Sequence, residues 1–268
     1  MNVIQQNILS KFHDGECCHF TKYEYLEETI DKISKGDKPC VLISGNSDFT
    51  HTQRMVDYVA SSVPLVKKWF AQNLDAEHEI AEAIPLGITN TVECKRGEKH
   101  GVKRVDKKHV DKLKYMKGTN GTPIENVYAN FNVNTSPGRR IPVAKICQNS
   151  SHINSQIGPT LTLDEYFDNC RRHKMTVCPE GNGFDTHRFW ETLYVNRVPI
   201  TLRIKAMNHF KSLPVVWLDE WEQLEDLDFL TGEYDKVKDN NKDMAYLNYW
   251  EEKIEGLITK IKQEEVYE

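Results

Sequence analysis

Apolar residues recur along this chain in two rhythms: short unbroken runs, and longer stretches spaced at three and four residues. The run Cys40-Val41-Leu42-Ile43-Ser44 is short and β-branched, and it ends on Gly45-Asn46-Ser47-Asp48, the punctuation expected where a buried strand turns out into a loop. Before it, residues 23–33 carry helical spacing. After it, the pattern predicts a helix over 61–73 and a second apolar strand over 81–88, closing on Gly87. Further strands are predicted over 126–133, 175–178, 198–204 and 215–218, alternating with helices that start near Arg139 and cover 163–172 and 185–195. Toward the end, residues 243–267 place Leu247, Trp250, Ile254, Leu257 and Ile261 on one helical stripe, which should pack on the body.

Strands alternating with helices of this length imply crossover connections and a mostly parallel sheet, hence the α/β class. In such sheets ligands sit beyond the carboxyl ends of the strands, so the loops that follow strands are where chemistry is to be sought. At 268 residues the chain suits one large α/β domain or two small ones. Residues 117–123 (KGTNGTP) are rich in turn formers and mark the expected boundary, while residues 95–108, rich in Lys, Arg, Gly and His, read as a solvated loop.

A net charge of -5 argues against a broad nucleic-acid footprint but leaves room for a local basic pocket. No stretch approaches the roughly 20 apolar residues of a membrane span, and the first residues lack the pattern of a signal peptide, so a cytoplasmic location is expected. The seven cysteines show no CxxC spacing and read as free thiols. Asp226-Leu227-Asp228, the only Asp-x-Asp pair, lies in an acidic helical stretch, WLDEWEQLEDLDFL, rather than after a strand. Neither metal nor cofactor is therefore expected.

The most informative segment is MTVCPEGNGFDTHRFWETLYVNRVPIT, residues 175–201. A strand runs into Pro179-Glu180-Gly181-Asn182-Gly183, where glycines let backbone approach a ligand, and a helix begins at once behind it, with Asp185 as its expected N-cap. On that helix Phe189, Trp190 and Leu193 share one side, and His187, Arg188 and Glu191 another. Arg188 suits diphosphate oxygens and Glu191 the hydroxyls of a ribose; the pattern equally fits a surface helix with an internal Arg188–Glu191 ion pair. Upstream, Tyr128, Asn130, Asn132 and Asn134 alternate with apolar residues as one polar strand face, and Arg139 and Arg140 stand at a helix start, against its dipole. One of the two is expected to grip an anion, the alternative being a surface ion pair. Asp48 lies just past the first strand, placed either as a general base or as the cap of a turn.

PEGNGFDTHRFWETLYVNRVPI resembles the donor-binding signature of exostosin-like glycosyltransferases: Gly-Asn-Gly, a short gap, Asp-Thr-His-Arg, an aromatic pair, Glu, then a strand ending in Pro-Ile or Pro-Val. That family usually has Arg or Lys where Glu180 stands. VYANFNVNTSPGRR, VLISGNSDF and VKKWFAQN with IPLGI resemble further parts of the family, extending the similarity over most of residues 40–221. The compact length is similar to that of small glycosyltransferases of large algal viruses, xylosyl-transferring ones among them. The resemblance implies a glycosyltransferase B fold of two small Rossmann-like lobes, assigned to 1–122 (acceptor side) and 123–240 (nucleotide sugar), with 241–268 as a bracing C-terminal helix. It implies transfer from a nucleotide diphosphate sugar, UDP-xylose favoured, to a glycan hydroxyl, inverting and without metal. Donor contacts would come from Arg139, Arg140, Glu180, Gly181, Asn182, Gly183, Asp185, His187, Arg188 and Glu191, acceptor contacts from Asn46 and Ser47, and the base from Asp48. The rivals are a catalytically silent glycan- or nucleotide-binding relative, and a dinucleotide enzyme, for which Ser44-Gly45-Asn46-Ser47-Asp48 lacks GxGxxG.

Overall fold

The structure is a computed structural model that describes residues 2–102, 107–118, 121–158 and 161–264, the side chains of 107–111 left aside. The chain divides into two compact units: Asn2–Asp106 with Tyr246–Glu268, and Lys107–Ala245. Both are α/β with parallel sheets. Among the described residues no helix is long and apolar enough to cross a membrane.

The first unit holds β1 (Cys18–Lys22), β2 (Cys40–Gly45), β3 (His51–Thr52), β4 (Val66–Ala71), β5 (Leu74–Asp75) and β6 (Ala81–Ala83), with helices α1 (Gln6–Leu9), α2 (Leu26–Ser34) and α3 (Gln53–Ser62). Its main sheet runs β1-β2-β4-β6, parallel throughout, and β3 pairs with β5 beside it. Every residue of β2 is buried, as an unbroken apolar run on a central strand requires. The helix expected over 61–73 is instead β4. Trp69, Phe70 and Ala71 are consecutive and all fully buried, a pattern that one face of a helix cannot hide but a strand covered on both sides can. Asn73, at φ 51°, turns the chain out of it. The helix lies earlier, as α3. The strand expected over 81–88 stops at Ala83: Pro85 brings no N–H to a ladder, and Gly87 adopts φ 67° where a Cβ would meet the Ile4 carbonyl oxygen at 2.2 Å.

The second unit holds β7 (Glu125–Ala129), β8 (Ile153–Ser155), β9 (His173–Val177), β10 (Val198–Leu202) and β11 (Val216–Leu218), with α4 (Lys107–Met116), α5 (Pro137–Asn149), α6 (Leu163–Arg172), α7 (His187–Tyr194) and α8 (Leu227–Val237). All strands are parallel, in the order β8-β7-β9-β10-β11. Val127, Ala129, Val143, Met175, Val177, Ile200 and Val216 form its core. α6 begins where Thr162 and Glu165 exchange the reciprocal bonds of a capping box.

The chain leaves the first unit at residue 106, ahead of the expected boundary at 122/123. The turn formers of 117–123 are stitched into the second unit. A Cβ on Gly118 would meet Arg171 Cζ at 2.6 Å, and the Gly121 carbonyl accepts from Arg197 Nη2 at 2.7 Å; residues 119 and 120 lie outside the described residues. Residues 95–102 form a mostly exposed loop, as expected, anchored at its base where Cys94 N–H donates to the Val102 carbonyl and Val102 N–H to Asn7 Oδ1; residues 103–106 lie outside the described residues. The C-terminal helix α9 (Leu247–Glu264) starts four residues later than its apolar stripe suggested, after a 3₁₀ turn at Asp243–Ala245, and belongs to the first unit. There Trp250 meets Phe70 edge-on, with ring centroids 6.1 Å apart, and Lys253 pairs with Glu82.

Beneath the sheet's carboxyl edge the first unit buries an ordered chain of donors. His51 is 1% exposed; its Nδ1 donates to the Gln72 carbonyl at 2.6 Å, so Nε2 is left to accept from Ser44 Oγ at 2.8 Å, which in turn accepts from Trp69 Nε1 at 2.8 Å. Burial depresses the His51 pKa to about 4, and burial with His100 and His19 nearby does the same to His13. Their unfolded values are near 6.5, so over the window from 6.5 down to about 4 the unfolded chain binds protons that the folded unit refuses. Stability is therefore expected in full above pH 6.5 and to fall as pH drops, by about 3 kcal/mol from His51 once pH 4 is reached. Urea midpoints recorded across that range, with ¹⁵N spectra showing a neutral His51 ring at pH 5, check this; a midpoint that stays level contradicts it.

Candidate functional site

The strand order of the second unit reverses at β7. The chain leaves β7 through α5 to reach β8 on one side, then returns through α6 to β9 on the other, so the loops after β7 and β9 part and leave a crevice at the carboxyl edge. These loops are residues 130–136 and 178–186, the segments that carry the sequence signature.

Arg140, 5% exposed in the first turn of α5, ties the two lips together. Its Nε donates to the Glu180 carbonyl at 2.7 Å, Nη1 to that of Asn132 at 2.9 Å and Nη2 to that of Pro179 at 3.3 Å. Among the described residues no carboxylate pairs with it. Burial, aided by repulsion from Arg188, pulls its pKa down to about 10, so it remains a cation at neutral pH. Arg139 reaches the same loop from outside, through the Gly181 carbonyl at 3.3 Å and Glu180 Oε2 at 3.4 Å. Burial raises the Glu180 carboxyl, and Arg139 partly offsets this. Gly181 serves this packing: a Cβ there would lie 3.3 Å from Arg140 Nη2. Its N–H closes a turn onto the Gly183 carbonyl at 3.0 Å, with Asn182 exposed at the tip.

Asp185 is not the N-cap of α7. Thr186 holds that position without a side-chain bond, and the Asp185 carboxylate, 5% exposed, accepts from Trp190 Nε1 at 2.6 Å. A buried indole needs one acceptor, and this demand outweighs capping. Phe189, Trp190 and Leu193 enter the core as their spacing implied, but Glu191, Thr192 and Tyr194 are buried too, so α7 is not a surface helix.

In front of α7 lies a hollow of about 190 Å³ lined by Asn130, Gly158, Thr162, Tyr166, Arg188 and Glu191 among others. Two of the three polar residues expected at the mouth of the loop thus reach it, whereas the half-buried His187 is not part of its lining. Glu191 is held by Lys112 at 2.6 Å and by the Tyr166 hydroxyl at 3.3 Å. Burial works to raise its pKa, but Lys112 prevails, with His187 and Arg188 adding, so the carboxyl stays below its usual range. The Arg188–Glu191 ion pair of the surface-helix alternative does not form; Glu191 pairs with Lys112 instead. Arg188 lies with Cζ 5.6 Å from the Tyr166 ring centroid, and its Nε is buried with no hydrogen-bond partner among the described residues.

The polar strand face expected over 126–133 does not form. β7 stops at Ala129, Tyr128 is fully buried, and Asn130 turns back to the Gln156 and Gly158 carbonyls. Asn132 accepts from Asn134 N–H at 2.9 Å in the following 3₁₀ turn. Lys112 and Tyr166 escaped sequence reasoning. Tyr166 lies in the first turn of α6, which starts eight residues after β8, a three-residue strand that the apolar pattern did not mark; nothing in the sequence around Tyr166 or Lys112 signals either residue.

In the first unit, Asn46, Ser47 and Asp48 occupy the loop after β2. Asn46, at φ 54°, has both ends of its amide engaged, Nδ2 on Asn7 Oδ1 at 3.1 Å and Oδ1 by Asn90 Nδ2 at 2.8 Å. It braces the loop. Ser47 Oγ lies 3.5 Å from Glu24, and Asp48 is exposed. Asp226 of the Asp-x-Asp pair caps α8, accepting from Phe229 N–H at 2.9 Å. Among the described residues no group of three or more His, Cys, Asp or Glu side chains could hold a metal ion, and the seven cysteines are free and buried.

Scanning the chain against protein-family models returned no match, and a search of curated proteins returned none either.

The two guanidiniums should respond differently to removal. Arg140→Met strands three carbonyls and is expected to lower the stability of the second unit by about 3 kcal/mol or more. Arg188→Met is expected to cost less than about 1 kcal/mol, because no such bonds are lost. Urea unfolding of both variants checks this, and equal losses would contradict it.

Proposed function

We propose that this chain is a glycosyltransferase that moves a sugar from a nucleotide diphosphate sugar, UDP-xylose favoured, to a glycan hydroxyl. One observation carries the reading: Arg188 presents a buried, unsatisfied Nε beside a hollow at the switch point of a parallel sheet, with a second guanidinium, Arg140, near it that no carboxylate among the described residues pairs with. Arg140 and Arg188 repel each other across the edge of the hollow, and a diphosphate placed there would relieve that repulsion. The start of α7 adds its dipole at the same edge. The choice of a sugar nucleotide over other phosphates rests on the likeness of residues 179–200 to the donor signature of exostosin-like enzymes.

In this reading Asp48 takes the proton from the acceptor hydroxyl as its oxygen attacks the anomeric carbon. The bond from that carbon to the phosphate oxygen breaks, the electron pair leaves with the diphosphate, and Arg188 with the α7 amides stabilises the developing charge. A metal is not required by this scheme, because the cationic work is assigned to arginine. The Glu191 carboxylate meets the ribose while Lys112 and Tyr166 hold it in place.

The expected outcomes are separable. UDP should raise the melting temperature, corresponding to about 2.7 kcal/mol at 100 times its dissociation constant. Arg188→Met should weaken UDP at least about tenfold. Asp48→Asn should lower turnover at least about a hundredfold with UDP affinity unchanged, and activity should persist in excess chelator. Isothermal titration and a UDP-release assay with UDP-xylose read these; no binding of any nucleoside diphosphate would overturn the proposal.

A further inference from the structure

The exposed loop that carries Asp48 also carries a ring with one face in solvent. Phe49 is 57% exposed, yet its inner face is stacked on Tyr23, with centroids 5.0 Å apart and planes 29° from parallel. Tyr23 meets the buried His51 ring at 5.1 Å, and His51 meets Trp69 at 5.5 Å. The four rings make a ladder from the core to solvent that ends on an open aromatic face. The loop beneath is pinned: Gln72 Nε2 and Asn73 Nδ2 both donate to the Ser47 carbonyl, at 2.8 and 3.2 Å, and Phe49 N–H reaches Ser47 Oγ at 3.3 Å. A large apolar ring held out in water, backed on one side and fixed by its loop, is preorganised for a flat ligand.

The geometry points to Phe49, backed by Tyr23, as a stacking platform for a neutral pyranose ring. A pyranose offers a face of axial C–H groups to the negative face of an aromatic ring, and its hydroxyls project from the rim. Polar groups stand at that rim: the Ser47 hydroxyl, the Glu24 carboxylate 3.5 Å from it, and Asp48 beside Phe49 in the chain. The Glu24 carboxylate selects the ligand. It is exposed at the rim, while the neighbouring Lys22 lies over the Tyr25 ring, 5.5 Å from its centroid. A sugar acid would meet like charge here, whereas a neutral pyranose would not. As the site of the accepting sugar, the platform rests on the transferase reading; as a sugar-binding surface, it does not.

Ligand-observed NMR titrations of the full chain with methyl β-D-xylopyranoside and methyl β-D-glucuronide test it, alongside UDP titrations of the same samples. The xyloside is expected to bind the native protein in the millimolar range, Phe49→Ala to weaken it about fivefold, and Phe49→Trp to retain it, with UDP affinity unchanged in both variants. The glucuronide is expected to bind at least about threefold more weakly than the xyloside, the gap closing as salt is raised. Xyloside binding that is absent, or unaffected by Phe49→Ala, overturns the platform, and a glucuronide that binds equally well overturns its selectivity for neutral rings. Failure of UDP to bind would instead remove the transferase reading and leave the sugar titrations to decide the platform alone.

Discussion

A guanidinium taken out of water must be met by acceptors wherever its N–H groups point, and Arg140 meets that demand with carbonyls from two loops that the strand order drives apart. Because those carbonyls are main-chain atoms, their positions set the backbone of both lips of the crevice. Gly181 is small where Arg140 passes, Arg139 closes over the outside, and the short turn of residues 181–183 follows from these two contacts. The charge stays while the donors are consumed. Of the guanidiniums at the crevice, Arg188 is the one with a buried donor still unsatisfied among the described residues.

The neighbouring Lys112–Glu191 pair shows the complementary solution. A buried carboxylate at the edge of the hollow is kept ionised by a lysine from another helix and oriented by the Tyr166 hydroxyl. Such a pair contributes little net stability, because desolvation offsets most of its attraction, but it fixes where the acceptor oxygens point. A guanidinium and a carboxylate thus stand side by side on one helix, the combination that the proposed nucleotide ligand, with its phosphates and ribose, would call on. In the first unit, burial does the opposite to His51, holding it neutral so that it serves as a fixed link between the core and the loop above β2.

Periodicity identified β2, α6, β9, α7, β10 and β11 within a few residues, because each has a pattern set by its own side chains: an apolar run for a strand covered on both faces, or a capped stripe for a helix. It failed at β4, where two lysines beside bulky apolar residues imitate helical spacing, and only the sheet on both sides of Trp69 and Phe70 distinguishes the two. It also failed at residues 117–123. Glycines mark a linker and a tight contact with the same letters, and Gly118 is there for Arg171.

For the site, local sequence determined that a strand, a glycine turn and a helix follow one another through residues 173–194, that Arg188 and Glu191 share a helix face, and that arginines open α5. Those properties depend on neighbours in the chain. Tertiary structure alone decided that Arg140 spends its donors on carbonyls, that Asp185 answers Trp190 rather than capping α7, that Glu191 is claimed by Lys112, and that Phe49 is backed by Tyr23. Each of these is a choice among partners remote along the chain, settled by which buried polar group or ring would otherwise go unmatched.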